Sequence, residues 1–135
     1  MADQTTLLII KPDAVQRDLI DEIIARVERQ GLRVESKHRM RIDRDLADRH
    51  YAEHSEKPFF GELVEFITSG DVIVAKVTGP EAISVLRTLI GATDPAKADA
   101  GTIRGDYGKV ITENLVHGSD SPESAKRELE LFFPD

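Results

Sequence analysis

The segment Asn114-Leu-Val-His-Gly-Ser-Asp120 places a histidine directly before a predicted helix that carries a glutamate on its apolar face. Ser121 and Pro122 are the residue types favoured at the N-cap and at the first position of a helix, so the helix should begin here. Its apolar stripe is formed by Ala125, Leu129 and Phe132. Glu128 falls inside this stripe, where a carboxylate needs a hydrogen-bond donor. The nearest candidate donor is His117.

A histidine held by a carboxylate is suited to nucleophilic or acid–base chemistry, because the carboxylate fixes which ring nitrogen carries the proton. A second interpretation fits the same spacing. Glu128 could bond a backbone group or lie at the edge of the stripe, since buried glutamate is rare unless it is paired. The spacing alone leaves both interpretations open.

Composition limits the class of protein. The chain has 135 residues, a net charge of −7, 40% hydrophobic residues and no cysteine. This length predicts a single domain over residues 1–135, and the missing cysteine excludes disulfides and thiolate metal sites. The acidic balance argues against nucleic acid as the main partner. No apolar run is long enough for a membrane span and no signal peptide is visible, so we expect a cytoplasmic protein without a membrane partner.

Apolar periodicity and turn signals predict elements in the order β-α-β-α-α-β-α-loop-β-α. This order indicates an α+β fold of the ferredoxin-like βαββαβ class, with an antiparallel sheet covered by helices and a long loop before the last strand. The first helical segment should continue to about Gln30, and residues 92–114 show no clear period. The predicted strands lie at 5–10, 33–42, 71–78 and 115–116.

The strand predicted at 33–42 alternates strictly, which is typical of a strand with one solvated face. Basic and acidic side chains should occupy that face. The opposite face should be shared by Val34, Ser36, His38, Met40 and Ile42.

Several familiar catalytic patterns are absent from the sequence, including G-x-x-x-x-G-K-[ST], G-x-G-x-x-G and G-x-S-x-G. His50-Tyr-Ala-Glu-His54 does match the H-x-x-E-H pattern of inverted zinc metallopeptidases. Short patterns of this kind arise by chance on charged helices, and no third ligand is apparent. We therefore expect His50 and His54 to lie on the solvated face of a short helix that Asp43 caps. A zinc hydrolase that uses these histidines is an unfavoured alternative.

Three cations fit a phosphate site. Lys11 follows a buried strand, Arg87 lies off the apolar face of its helix, and Arg104 lies in the glycine-flanked segment Gly101-Thr-Ile-Arg-Gly105. Each cation alone resembles an ordinary surface charge. Beside a carboxylate-supported histidine, however, they favour phosphoryl transfer through a covalent phosphohistidine.

Together with further blocks of sequence, these residues resemble the nucleoside diphosphate kinase family. The blocks that carry the resemblance follow family order over nearly the whole chain. They are Lys11-Pro-Asp-Ala14, His50-Tyr51, Lys57-Pro-Phe-Phe60, Thr68-Ser-Gly70, Gly91-Ala-Thr-Asp-Pro95, Gly101-Thr-Ile-Arg-Gly-Asp106 and Asn114-Leu-Val-His-Gly-Ser-Asp120. Departures from the family pattern include Asp18, Asp21, Asp71 and Ala100.

The resemblance implies a ping-pong transfer of the γ-phosphate of ATP or another nucleoside triphosphate to a nucleoside diphosphate. His117 would be phosphorylated on Nδ1, with Glu128 on the other ring nitrogen, and Tyr51 would act near the reacting phosphate. Phe59 would stack on the base. Mg²⁺ would be carried by the nucleotide phosphates rather than by a protein metal site. The implied nucleotide-binding residues are Lys11, Phe59, Arg87, Thr93, Arg104 and Asn114.

The resemblance also implies a homo-oligomer built from dimers, with a hexamer favoured over a tetramer or a dimer. One further alternative keeps the fold without catalysis. In that case the chain would be a ferredoxin-like nucleotide-binding regulatory module that performs no turnover.

Overall fold

A four-stranded antiparallel sheet forms the centre of the molecule. The computed structural model describes residues 3–51, 60–92, 97–108, 115–119 and 121–133. The strands are β1 (Asp3–Ile10), β2 (Arg33–Arg41), β3 (Asp71–Pro80) and β4 (Val116–Gly118). The helices are α1 (Pro12–Gln16), α2 (Ile20–Arg29), α3 (Arg44–His50), α4 (Phe60–Ile67), α5 (Ala82–Ile90), α6 (Ile103–Tyr107) and α7 (Pro122–Phe132).

The strand order is β2-β3-β1-β4, so the first strand lies between the third and the fourth. β1 and β2 are joined by helices but separated by β3, which is the split βαβ arrangement of ferredoxin-like folds. The predicted fold class is confirmed. Because β1 is central, its residues 6–10 are buried.

Helices cover both faces of the sheet, and each face has its own apolar core. On the first face, called the α2 face, Leu8 and Ile10 of β1 pack with α1, α2, α5 and α6. On the second, called the α7 face, Leu7 and Ile9 pack with α3, α4 and α7. Both faces of the central strand are therefore buried, in agreement with its continuous apolar sequence.

The helix predicted to reach Gln30 without a break is two helices. α1 ends at Gln16, and Asp18 adopts φ 60, which interrupts the helical backbone before α2. Aspartate tolerates this left-handed conformation better than most side chains. α2 then buries Ile23, Ile24 and Val27, as its spacing predicted.

The strict alternation predicted for β2 is wrong at its first residues. The pairing of β2 with β3 shifts register between Val34 and Ser36. A β-bulge of this kind inserts one residue and reverses the faces of the residues before it. Val34 consequently packs on the α2 face, whereas Met40 packs on the α7 face. His38 is exposed, because β2 is an edge strand and only part of either face is covered.

The stretch predicted as a loop before the last strand contains α6. Thr102 caps this helix by accepting a hydrogen bond from the Gly105 amide at 3.0 Å. Five residues are too few to establish a helical period, which explains why the sequence pattern did not indicate this helix.

The remaining helix ends follow the sequence signals. The Asp43 side chain accepts a hydrogen bond from the Leu46 amide at 2.8 Å and caps α3, as predicted. Among the described residues, no helix combines the length and the apolar content that a membrane crossing requires.

Candidate active site

His117 lies on the short strand β4, directly opposite Ile9 of β1. This register directs its side chain to the α7 face, where α3 and α7 pack. The imidazole remains 22% exposed. It is therefore fixed on one side by the core and accessible on the other.

The structure pairs His117 with Glu128, which is the first of the two interpretations that the spacing left open. His117 Nε2 and Glu128 Oε1 are 2.8 Å apart, and Glu128 is buried on α7. The helix begins as its sequence indicated, because the Ser121 side chain accepts a hydrogen bond from the Ser124 amide. An ionised carboxylate can only accept, so Nε2 carries the hydrogen and Nδ1 is the ring nitrogen with the lone pair.

Ser119 provides a second donor that the sequence interpretation missed. Its Oγ donates to Glu128 Oε1 at 2.6 Å, and the serine is fully buried. Burial by itself would raise the pKa of Glu128, but the hydrogen bonds from His117 and Ser119 and the charge of His117 outweigh it and lower that pKa to about 2. Ser119 lies two residues after His117 on an extended segment, so their side chains share a face.

The position of His50 contradicts the expectation of a solvated histidine. His50 is only 4% exposed and packs against His117, Tyr51 and Phe132, with its ring 4.6 Å from the ring of His117. Burial, together with the neighbouring charge of His117, lowers the pKa of His50 well below its usual value, which favours the neutral ring. The mostly polar sequence of α3 gave no sign of this burial. The last residue of the helix, His50, is buried by contacts with β4 and α7.

Tyr51 is the C-cap of α3 and lies beside His50 in the same core. Burial raises the pKa of Tyr51, so its hydroxyl keeps its proton. Arg127 of α7 donates to the Arg49 carbonyl at 3.1 Å, which ties α7 to the end of α3. This contact holds Tyr51 and His50 next to the helix that carries Glu128.

The backbone before β4 is anchored to the segment that follows β1. The Lys11 amide donates to the Leu115 carbonyl at 2.8 Å, and Asp13 Oδ2 accepts from the Leu115 amide at 3.1 Å. Leu115 has φ 77, a conformation that non-glycine residues rarely adopt. These contacts stabilise the unusual backbone two residues before His117.

Lys11, Arg104 and Arg87 form an interacting group of cations. Burial and the charge of Arg104 lower the pKa of Lys11 to about 7. Burial and the charge of Arg87 lower the pKa of Arg104 to about 10. Arg104 donates to the Val116 carbonyl at 2.7 Å, beside His117. The three predicted cations therefore converge near the nucleophile candidate, where their mutual repulsion favours an anion.

Arg104 lies in the first turn of α6 rather than in a loop. Arg26 of α2 holds this helix through a 2.8 Å ion pair with Asp106 and a contact with the Tyr107 ring. A Cβ on Gly105 would clash with the Asp99 carbonyl oxygen, so this position requires glycine. The glycine closes the turn that directs Arg104 toward β4.

Arg87 of α5 reaches the strand that carries His117. Its Nη1 donates to the Gly118 carbonyl at 3.4 Å. The same arginine lines an open cleft of about 450 Å³ together with Lys97, Asp99 and Thr102. Lys97 was not among the predicted cations, because nothing in its sequence context distinguishes it from a surface lysine.

Some predicted site residues lie outside the described part of the chain. They are Phe59, Thr93 and Asn114, together with His54 of the zinc-like pattern. Of the other predicted site residues, the structure brings together His117, Glu128, Lys11, Tyr51, Arg87 and Arg104 around β4.

The arrangement is suited to transfer of an anionic group through a histidine. The Glu128 carboxylate fixes Nε2 of the ring. The three cations contact the backbone of the same segment, Lys11 at Leu115, Arg104 at Val116 and Arg87 at Gly118. Among the described residues, the group with the spacing of a metal site is His50, His117 and Glu128. Two nitrogens and one carboxylate do not match the oxygen ligands that Mg²⁺ prefers.

The chain is similar to known proteins of one family, both in sequence and in structure. The family described as "Nucleoside diphosphate kinase" matches residues 4–135. A nucleoside diphosphate kinase of Rubrobacter xylanophilus is 61% identical over 130 residues, which cover 96% of this chain and 98% of the relative. The solved structure of a halophilic nucleoside diphosphate kinase from Halobacterium salinarum in complex with CDP has a TM-score of 0.96 at 50% identity, covering 98% of this chain and 89% of that chain. A second solved structure, of the apo nucleoside diphosphate kinase from Encephalitozoon cuniculi, has a TM-score of 0.96 at 42% identity, covering 98% of this chain and 90% of that chain.

Proposed function

The chain belongs to the nucleoside diphosphate kinase family, and on this premise we propose that His117 is the residue that carries the phosphoryl group. The enzyme transfers the γ-phosphate of a nucleoside triphosphate to a nucleoside diphosphate by a ping-pong mechanism through a phosphohistidine. The observation that carries the assignment is the 2.8 Å contact between His117 Nε2 and Glu128 Oε1. It leaves Nδ1 as the nucleophile.

In the first half-reaction, the Nδ1 lone pair attacks the γ-phosphorus and the bond from phosphorus to the β–γ bridging oxygen breaks. The nucleoside diphosphate leaves with the bonding electrons. Positive charge develops on the imidazole, and Glu128 stabilises it through Nε2–H while Ser119 holds the carboxylate in place. In the second half-reaction, a β-phosphate oxygen of the incoming diphosphate attacks phosphorus and the N–P bond breaks.

Lys11, Arg87 and Arg104 neutralise the charge that spreads over the phosphoryl oxygens during transfer. This neutralisation and the positioning of the reactants contribute most of the catalysis in phosphoryl transfer. The repulsion among these cations supports the role, because a bound phosphate relieves it. The protonated hydroxyl of Tyr51 is available to donate toward the same phosphate.

Mg²⁺ enters the reaction as part of the nucleotide substrate. The oxygen-rich site that Mg²⁺ prefers is not found among the described residues, and the nucleotide phosphates supply such oxygens themselves. Bound to the nucleotide, the ion would neutralise part of the phosphate charge. The cations and the histidine would contact the phosphates rather than the ion.

The nucleotide is proposed to lie in the cleft beside Arg87, with Phe59 stacked on the base and Thr93 and Asn114 as additional contacts. The CDP complex of the Halobacterium salinarum relative supports nucleotide binding by this fold. We propose neither a nucleic-acid partner nor a membrane partner.

We further propose a cytoplasmic enzyme whose residues 1–135 act as one domain. Copies would assemble as a homo-oligomer built from dimers, with a hexamer favoured over a tetramer or a dimer. The match of the family to residues 4–135 supports the single domain.

Incubation with γ-³²P-ATP and Mg²⁺ tests the assignment of His117. We expect an acid-labile, base-stable phosphate on the wild-type protein, and its loss on addition of a nucleoside diphosphate. His117→Ala should take up no label, whereas His38→Ala, which removes an exposed histidine of β2, should label normally. Undiminished labelling of the His117 variant would assign the nucleophile elsewhere. A regulatory module or a zinc hydrolase would not be labelled at all.

A further inference from the structure

The ring nitrogens of His50 have no role in the mechanism above. His50 is 4% exposed, and neither Nδ1 nor Nε2 has a hydrogen-bond partner among the described residues. Buried polar atoms are normally paired, so two unpaired nitrogens on one ring require an explanation. One nitrogen of His50, one of His117 and one oxygen of Glu128 all lie within 4.8 Å of one another.

We propose that His50, His117 and Glu128 form a site for a divalent transition-metal ion such as Zn²⁺, and that the occupied site switches off the nucleophile. Two imidazoles and one carboxylate are the protein ligands of many zinc centres that keep a fourth position for water. Imidazole ligands select Zn²⁺ and its neighbours over Mg²⁺, which prefers oxygen. The substrate ion and the inhibitory ion are thus distinguished by their ligands.

The geometry is close to that of a zinc centre. Tetrahedral Zn²⁺ with ligands at 2.0–2.2 Å places neighbouring ligand atoms about 3.3 Å apart. His117 Nε2 and Glu128 Oε1, now 2.8 Å apart, must separate slightly to admit the ion. The His50 nitrogen must approach by about 1.5 Å at most, from the 4.8 Å limit toward this spacing. The proposal therefore requires the His50 ring, at the last residue of α3, to move toward the other two ligands when the ion binds.

Metal binding would change the tautomer of His117. When Nε2 donates its lone pair to the ion, the single proton of the neutral ring must reside on Nδ1. The proton leaves Nε2 and one is taken up at Nδ1, so the ring stays neutral and no net proton is released. Nδ1 then has no lone pair for phosphorus. Inhibition therefore depends on the proposed function of His117, whereas metal binding does not.

The first experiment measures binding without nucleotide. Untagged protein is titrated with Co²⁺, whose visible absorption intensifies at a tetrahedral site, and Zn²⁺ is then added as a competitor. We expect one Co²⁺ per chain, displaced by Zn²⁺. The intense absorption should be lost in His50→Phe and retained in His38→Phe, which removes an exposed imidazole outside the site. Absence of such absorption, or its persistence in His50→Phe, would overturn the site.

A second measurement does not depend on a variant that folds. In wild-type protein with ¹⁵N-labelled histidine, Zn²⁺ should shift the ring nitrogens of two histidines and place the proton of one of them on Nδ1. Shifts confined to one histidine would contradict the three-ligand site.

The third experiment measures inhibition. Label uptake from γ-³²P-ATP with excess Mg²⁺ should fall about tenfold when free Zn²⁺ is ten times its dissociation constant, and EDTA should restore it. Each variant is compared with its own metal-free rate, and His50→Phe should resist Zn²⁺. Binding without inhibition would overturn the switch but leave the site. Absence of labelling in the metal-free wild type would instead overturn the proposed function.

Discussion

The site around His117 has two parts that are built differently. The Nε2 side, which contacts the ring at Nε2, comes from one short stretch of chain, in which Ser119 directly follows β4 and Glu128 lies on α7. The phosphate side, which is the group of cations proposed to bind phosphate, comes from separate elements, with Lys11 after β1, Arg87 on α5 and Arg104 on α6. One side is assembled locally and the other only by the complete fold.

The two sides also differ in electrostatics. On the Nε2 side, the Glu128 carboxylate is satisfied, since two hydrogen bonds and the charge of His117 more than offset the effect of burial on its pKa. On the phosphate side, burial and mutual repulsion lower the pKa values of Lys11 and Arg104. Under the proposed function, the first side is formed before a substrate arrives, whereas the second would be stabilised by the negative charge of the substrate. Orientation of the proposed nucleophile and stabilisation of the transferred group would then depend on different residues.

The largest effect is expected on the phosphate side. Arg104→Met preserves the buried stem but removes the charge and the hydrogen bond to the Val116 carbonyl. We expect kcat/KM to fall by about 10²–10³-fold, the range for loss of a donor to developing negative charge. Steady-state kinetics with ATP as the phosphate donor and a nucleoside diphosphate other than ADP as the acceptor measure kcat/KM. Arg44→Met, on the exposed surface of α3, is the matched control and should stay near wild type. A comparable fall of kcat/KM in both variants would show that Arg104 has no more effect than a surface arginine.

Glu128→Gln tests the Nε2 side. Glutamine keeps a hydrogen-bonding oxygen but loses the charge that stabilises the developing imidazolium. Hydrogen bonds to charged groups contribute about 1.5–3 kcal/mol, so phosphorylation should slow by roughly ten- to a hundredfold. Rapid-quench measurement of label uptake gives the rate. The acidic limb of the pH–rate profile should also move to lower pH, and an unchanged rate with an unmoved profile would show that the carboxylate does not support the ring.

Lys11 makes the phosphate side sensitive to pH. With a pKa of about 7, its charged fraction falls from about one half at pH 7 to about one tenth at pH 8, so nucleotide affinity should fall about fivefold over this interval. Calorimetric titration with ADP measures the trend. Lys11→Arg, which stays charged, should flatten it, and an equal slope in both proteins would exclude Lys11 as the titrating group.

The same lysine affects stability with a defined sign. Its folded pKa of about 7 lies below its ordinary value of 10.5, so the unfolded chain binds more protons between these limits. The contribution of Lys11 to the free energy of unfolding therefore rises with pH across this window. Denaturant unfolding of wild type and Lys11→Met at pH 7 and pH 9 isolates it, since the methionine variant should lack this rise.

The smallest effect is expected for Ser119→Ala. The variant removes one of the two donors to Glu128 Oε1, while His117 still holds the carboxylate. We expect a loss of several-fold in the phosphorylation rate and about 1.5–3 kcal/mol in the free energy of unfolding. In a double-mutant cycle with Glu128→Gln, the two changes should not add. Strict additivity would mean that Ser119 acts independently of the carboxylate.

The Nε2 side, which is built from one short stretch of chain, was also the side that the sequence could predict. Periodicity placed Glu128 on the apolar face of α7, and its partner lay 11 residues away. His50 was misjudged because α3 is mostly polar, and tertiary contacts with β4 and α7 bury its last residue. The bulge in β2 was missed for a related reason, since one inserted residue leaves the alternating sequence unchanged while reversing the faces of Val34 and Met40. The fold class was predictable, and the three cations were expected to share one site. Their separation in sequence could not show the contacts with β4 that bring Arg87 and Arg104 together.

The strand order β2-β3-β1-β4 has a consequence for the synthesis of the protein. β1 is made first, yet both of its neighbours in the sheet are made later, and β4 follows it by about a hundred residues of chain. Contacts so distant in sequence form late and slow folding. During translation, β1 therefore stays without its neighbouring strands until β3 and β4 have been synthesised. Glu128 can contact His117 only after α7 has left the ribosome, so under the proposed function a nascent chain that lacks this helix has no oriented nucleophile.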